Sequence, residues 1–342
     1  MPRKPLHQPR QVETDLGPIE VAQLGNPTGV PALMVHGSPG GYDHGVLMGR
    51  FLARRGFRVI APSRPGYLGT KLRSTTESPD DQADLLAALL DALKVDHAAL
   101  LSWSGGGPAG YRLAARHPDR VRTLVALAAL STRYDWRTTC SDELLFGTLM
   151  GNGVLAGLVR AAPGRVVAGT LASEGNLDSA EVKARTQAIM ADDERREFVL
   201  ALAQAATLRG RRRPGVENDK RQFAMITDLG LAQVHTPTLL VQGDADTDVP
   251  PKFSDYAQTQ ISGAELLTMP GGTHLCLFVD PGYEAAQQRV AEFLAGGGCV
   301  VSGRNPAPAT RGARTLGTAP TPDDRVPAPA HTPRAGPTAP TG

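Results

Sequence analysis

Cysteine is scarce in this 342-residue chain: Cys140, Cys276 and Cys299 are the only three, and none stands in a CxxC pair. That excludes a disulfide framework and a cysteine-built metal site, and it fits a reducing compartment. Charge of either sign is also in short supply as a surplus, with 36 Lys and Arg against 34 Asp and Glu. The basic excess lies at the two ends, so the body lacks the clustered Lys and Arg that track a phosphate backbone, which argues against a nucleic-acid partner. No run of about 18 apolar residues exists, and the polar first eleven residues have no apolar segment of the secretory kind. The expectation is a cytoplasmic protein without a membrane partner.

What is present is enough apolar material, 41% of residues, for a large buried core. After Cys299 the composition turns to Pro, Ala, Thr, Gly and Arg, and nine of the 28 prolines fall in the last 42 residues. Residues 298–342 are therefore expected to be a disordered tail, and residues 1–12 a flexible start. Between them, short apolar runs alternate with helical patterns. The runs are Pro31 to Val35, Arg58 to Ala61, Ala98 to Leu101, Val121 to Leu130, Thr238 to Val241 and Ala264 to Met269. Near-continuous apolarity over so few residues predicts parallel strands covered on both faces. Helices are predicted over Gly45 to Arg55, Ser78 to Leu93, Gly106 to Arg116 and Pro281 to Leu294. The fold class is α/β, a doubly wound, mostly parallel sheet with helices on both faces. Residues 132–233 interrupt the alternation with helical patterns alone (Glu143 to Leu149, Gly153 to Arg160, Asp178 to Met190, Asp193 to Thr207), which predicts a helical lid inserted between core segments 13–131 and 234–297.

In a parallel sheet, ligands bind beyond the carboxyl ends of the strands, so the residues just after each apolar run carry the chemistry. After the third run, Ser102-Trp103-Ser104-Gly105-Gly106-Gly107 passes abruptly from strand to helix, with small residues two positions either side of Ser104. That spacing lifts the Ser104 hydroxyl above the sheet at a helix N-terminus. Centring the turn on Ser102 would place Leu100 and Ser104 at the flanks and leave less clearance. A serine nucleophile needs a base, and the base an acid. Both are on offer at later strand ends, in Gly243-Asp244-Ala245-Asp246-Thr247-Asp248-Val249-Pro250 and Gly271-Gly272-Thr273-His274-Leu275. After the first run, His36-Gly37-Ser38-Pro39-Gly40-Gly41 makes a tight loop in which the Ser38 N–H, with that of Gly105, is a candidate oxyanion donor.

Taken together, these residues resemble the α/β-hydrolase superfamily, in its lid-bearing branch with HGxPG and GxSxGG loops, over roughly residues 13–297. The resemblance implies Ser104 as nucleophile, Asp246 rather than Asp244 or Asp248 as acid from the GxxDxxVP pattern, and His274 as base. It implies Ser38 and Gly105 as oxyanion donors, and neither a cofactor nor a metal. His36, Trp103 and Leu275, adjacent to these positions, are the candidate substrate-binding residues. Ser102 departs from the family by replacing the first glycine of the elbow. Serine rather than aspartate at the nucleophile position favours acyl chemistry over dehalogenation or epoxide opening. The expected activity is that of an esterase-like serine hydrolase acting on a small-molecule acyl substrate, a carboxylester or lactone.

Tyr134, Trp136, Leu144, Leu145, Phe146, Met150, Leu155 and Val159 are expected to roof the pocket or pack the lid, and Arg209, Arg211, Arg212 and Arg213 to form a solvated basic turn. Other triad chemistries fit the same residues: aminopeptidase, carbon–carbon hydrolase, or perhydrolase of the haloperoxidase kind. A non-catalytic ligand-binding protein with this fold is a further alternative. A nucleotide-dependent oxidoreductase is suggested by the G-x-G-x-x-G at Gly105 to Gly110, but Ala128 to Thr132 lacks the acidic residue such a site requires.

Overall fold

The computed structural model describes residues 8–136 and 146–296. Cys140, Cys299, Leu144, Leu145, the first three residues of the helix expected over Glu143 to Leu149 and the tail from 298 lie outside the described residues. Eight strands form one sheet: β1 (Arg10–Val12), β2 (Ile19–Gly25), β3 (Pro31–Val35), β4 (Arg58–Pro62), β5 (Ala98–Trp103), β6 (Val121–Leu127), β7 (Thr238–Gly243) and β8 (Glu265–Met269). Their spatial order is β1-β2-β4-β3-β5-β6-β7-β8. Pairings from β4 through β8 are parallel, whereas β1 with β2 and β2 with β4 are antiparallel. The sheet therefore begins inside the stretch expected to be flexible, because Arg10 to Val12 pair with Ile19 to Val21.

The apolar runs read as they do because successive side chains go to two different cores. Ala32 and Met34 of β3 join Ala99, Leu101 and Trp103 of β5 on one face. Leu33 and Val35 join Ala98 and Leu100 on the other. The first face is covered by α1 (Tyr42–Arg54), by α10 (Tyr283–Leu294) and by part of the lid; the second by α2 (Pro79–Ala92), α3 (Gly107–Arg116) and α9 (Lys252–Gln260). Ser78 starts α2 through a capping box with Asp81, which satisfies two backbone donors reciprocally.

The lid comprises α4 (Leu149–Ala161), α5 (Pro163–Glu174), α6 (Ser179–Ala191), α7 (Asp193–Ala205) and α8 (Arg213–Met225). It is stitched to the sheet's carboxyl edge where α5 ends. Gly175 bridges Asp246, Asn176 N–H donates to Ala245 O at 2.7 Å, and His274 N–H donates to Glu174 O at 3.0 Å. Among the described residues no single helix is long and apolar enough to cross a membrane.

Candidate active site

Strand β5 delivers Ser104 into a one-residue reversal with φ +55°, a left-handed conformation that costs a non-glycine residue about 1–3 kcal/mol and is held by its surroundings. The turn closes only because its neighbours are small. A Cβ at Gly106 would stand 2.6 Å from the carbonyl oxygens of Val35 and His36. Ser102, in place of the family's glycine, lies against α3, where a Cβ on Gly110 would come within 2.6 Å of its Cβ. The room normally given by the first elbow glycine is here supplied by Gly110.

The base and acid turns meet beside this elbow. His274 Nδ1 bonds Asp246 Oδ2 at 2.9 Å, and Asp246 Oδ1 accepts the backbone N–H of Asp248 and of Val249, each at 2.9 Å. Gln242 Nε2 adds a 3.3 Å contact to Oδ2, and the Gln242 amide is held at its Oε1, which accepts from the Ser254 hydroxyl at 2.7 Å. Trp103 stacks on the imidazole with ring centroids 5.3 Å apart. The histidine turn is pinned from beneath: Asp280 accepts from Thr273 N–H at 2.6 Å, and Arg185 of the lid bonds both Asp280 and Gly271 O.

Ser104 and His274 face one small cavity of about 70 Å³, also walled by Gly37, His44, Trp103, Glu174 and Asp248. Among the described residues no hydrogen bond joins Ser104 Oγ to the ring; Nε2 instead lies 3.6 Å from Asp248 Oδ2. Catalytic contacts of this kind commonly tighten only with substrate bound. Burial disfavours the imidazolium, but Asp246 and, after it, Asp248 and Glu174 outweigh that and raise His274 to about 10. Glu174 is pushed up to about 8 by burial and by the charge of Asp248, and its Oε2 is buried without a hydrogen-bond partner. Burial drives His44 the other way, to about 4, so its ring is neutral in the cavity wall. One ligand atom each from Glu174, Asp248 and His274 lie within 4.8 Å of one another. These donors outline a cation site, but one of them is the nitrogen that would serve the serine.

A second cavity of about 340 Å³ opens on Ser104 and is lined by Ser38, Gly105, Tyr134, Trp136, Phe146 and Glu174 among others. A third, about 600 Å³, lies within the lid between Leu155, Leu158, Val166, Leu202 and Ala203. It shares Phe146, Ser173, Glu174 and Ala206 with the second.

The fold thus brings Ser104, Asp246, His274, Ser38, Gly105 and Trp103 together. It does not bring His36 or Leu275 to a cavity wall. His36 is fully buried beneath the loop, its Nε2 accepting from Arg64 N–H at 2.9 Å and its Nδ1 bonding Gly37 O at 2.7 Å. Leu275 packs in the core. Met150 is exposed and Val159 belongs to the core. The basic turn is not wholly solvated either: Arg212 is buried and bonds Gly40 O and Asp43. Glu174, Asp248, Arg64 and Asp219 are site residues that the sequence reading did not assign. Arg64 follows a strand end and was open to the same rule; Asp219 sits in a polar lid helix without such a signal.

The family model described as the alpha/beta hydrolase family matches residues 32–293. The chain belongs to this family. A solved alpha/beta hydrolase fold protein from Nakamurella multipartita is 45% identical, with TM-score 0.81, covering 85% of this chain and all of the other. An uncharacterized hydrolase of Bacillus subtilis is 31% identical over 148 residues, which is 41% of this chain and 49% of that protein. The chain thus spans about half the length of this relative. A pimeloyl-[acyl-carrier protein] methyl ester esterase of Neisseria meningitidis is 29% identical over 244 residues, 71% of this chain and 70% of the other.

Proposed function

We propose that this α/β hydrolase is a serine esterase in which Ser104, His274 and Asp246 form the triad. The observation that carries the reading is that Ser104, at its strained elbow, shares a cavity with an imidazole whose other nitrogen is held by Asp246. Ser104 Oγ attacks the ester carbonyl while His274 Nε2 takes its proton. The developing oxyanion is received by the N–H groups of Ser38 and Gly105, each such donor being worth about 2.7–4 kcal/mol in known cases. His274 returns the proton to the departing alcohol, and water, deprotonated by the same nitrogen, releases the acid from Ser104. Asp246 keeps Nδ1 protonated and stabilises the imidazolium without itself being protonated.

The lid cavity supports an acyl group with an apolar chain. Its wall is mostly Leu, Val, Ala and Phe, with Arg165, Thr170, Ser173 and Glu174 as the polar exceptions; it adjoins the space above Ser104, and its volume lies in the range of small-molecule sites. The esterase relative acts on an acyl ester by its name, which points the same way. A fluorophosphonate probe should label Ser104 of the wild type. Ser104→Ala should abolish labelling and lower p-nitrophenyl ester turnover by roughly 10⁴-fold or more with the thermal midpoint retained. Unchanged turnover in that variant refutes the nucleophile; turnover of aminoacyl or diketone substrates instead of esters refutes the substrate class.

A further inference from the structure

The loop that carries Ser38 is held by the lid rather than by the sheet alone. Asp219, in the middle of α8 and 1% exposed, accepts a hydrogen bond from Ser38 Oγ. The same carboxylate takes two bonds from Arg64, at 3.0 and 2.6 Å, and one from the Tyr67 hydroxyl at 2.6 Å. Arg64 in turn donates to His36 O at 3.0 Å and to Ser38 Oγ at 2.9 Å, so its guanidinium lies under both sides of the loop. Gly40, two residues beyond Ser38, is fixed by Arg212 from the same lid segment. On its other side the loop presses on the elbow: a Cβ at Gly37 would be 2.9 Å from Ser104 Cβ, and one at Gly105 would be 2.5 Å from Ser38 Oγ. Ser38 is thus clamped between a buried lid carboxylate and the two residues whose geometry matters most.

We propose that Asp219 is a positioning residue for the oxyanion hole, acting through Ser38, and that the lid segment 212–219 thereby sets the aim of the Ser38 N–H. The inference rests on the reading of Ser104 as nucleophile. A buried carboxylate with four donors and a paired guanidinium has one well-defined arrangement, because Arg64, Tyr67 and Asp219 are each at most 2% exposed and losing any of them leaves a buried polar group unsatisfied. That rigidity is what a preorganised oxyanion donor requires, since displacement of a reacting group by about 1 Å costs on the order of a hundredfold in rate.

The test uses full-length Ser38→Ala and Asp219→Asn, with kcat counted per site after fluorophosphonate titration and with the affinity of a boronic acid that mimics the tetrahedral oxyanion. Both variants should lose about tenfold to a hundredfold in kcat with KM within about threefold, and boronate binding should weaken in parallel with kcat/KM. Ser38→Thr, which restores a hydroxyl, should recover most of the loss. If Asp219→Asn fails to fold, Ser38→Ala decides, because it keeps the backbone N–H and the Arg64–Asp219 pair. Unchanged kcat per titrated site and unchanged boronate affinity in Ser38→Ala overturn the positioning role. Absence of labelling at Ser104 in the wild type is the distinct result that removes the nucleophile and this inference with it.

Discussion

Asp248 stands two residues beyond Asp246, and its half-exposed side chain reaches to 3.6 Å from His274 Nε2. A negative charge there favours the imidazolium, so the base is neutral only toward alkaline pH. On a neutral ester, kcat/KM should therefore rise with pH through the titration of His274. Asp248→Asn removes one of the charges that raise the ring, and the ascending limb should move to lower pH. A pH–rate profile of the two proteins measures it, and a limb in the same place would show that the ring does not sense this carboxylate. Asp246 differs because it is closer, at 2.9 Å, and because its bond to Nδ1 fixes the ring's orientation as well as its charge. The sequence pattern distinguished these two acids only through the GxxDxxVP spacing; that both would crowd one imidazole is a property of the turn, in which Asp246 accepts the N–H of Asp248 and thereby curls Asp248 back toward the ring.

Elements whose buried face is apolar were legible in the sequence, and those whose buried face is polar or short were not. Strands β3 to β7 are recognisable because both faces enter apolar cores, and the edge strand β8 through Leu266, Leu267 and Met269, which pack against them. Helix α8 is not, because the side it buries includes Asn218 and Asp219 beside Val216 and Phe223, so no apolar period marks it. Helix α9 buries only Phe253, Ser254 and Ala257, and β1 is three residues long. The proposed triad residues Ser104, Asp246 and His274 could be picked out as strand-end residues, whereas the Asp219 clamp was hidden because its logic is hydrogen bonding across about 180 positions of chain. Helices α4, α5 and α7 together wall the lid cavity, which gives them a joint prediction. Each methylene an acyl chain buries there is worth about 0.8 kcal/mol, close to fourfold in kcat/KM, so p-nitrophenyl esters should improve from acetyl toward octanoyl. Ala206 lies where this cavity meets the one over Ser104. Ala206→Phe should depress the octanoyl-to-acetyl ratio by tenfold or more, and an unaltered ratio would place the chain elsewhere.

Across the whole molecule, the buried titratable groups pull stability in opposite directions on either side of about pH 6.5. His36 and His44 are held neutral by burial, well below their ordinary 6.5, so the unfolded chain binds protons that the native one refuses as pH falls. Stability must then drop on acidification below that value. Above it the sign reverses. His274, raised from 6.5 to about 10, keeps a proton that the unfolded chain releases, and Glu174, raised from 4.5 to about 8, does the same over its own interval. The native state binds more protons than the unfolded state between about 6.5 and 10, so stability declines as pH rises through that range, steepest below 8 where both groups contribute. The thermal midpoint should accordingly be highest near pH 6 to 6.5 and fall toward pH 10. Glu174→Gln keeps the shape of the side chain and removes its titration, so the fall between 6.5 and 8 should flatten while the part above 8, owed to His274, persists. Midpoints by differential scanning calorimetry at half-unit pH steps separate the two; a curve for Glu174→Gln that parallels the wild type throughout would mean that the lid carboxyl gives up its proton at an ordinary pH and that the acid cluster over the imidazole is less tightly closed than its geometry indicates.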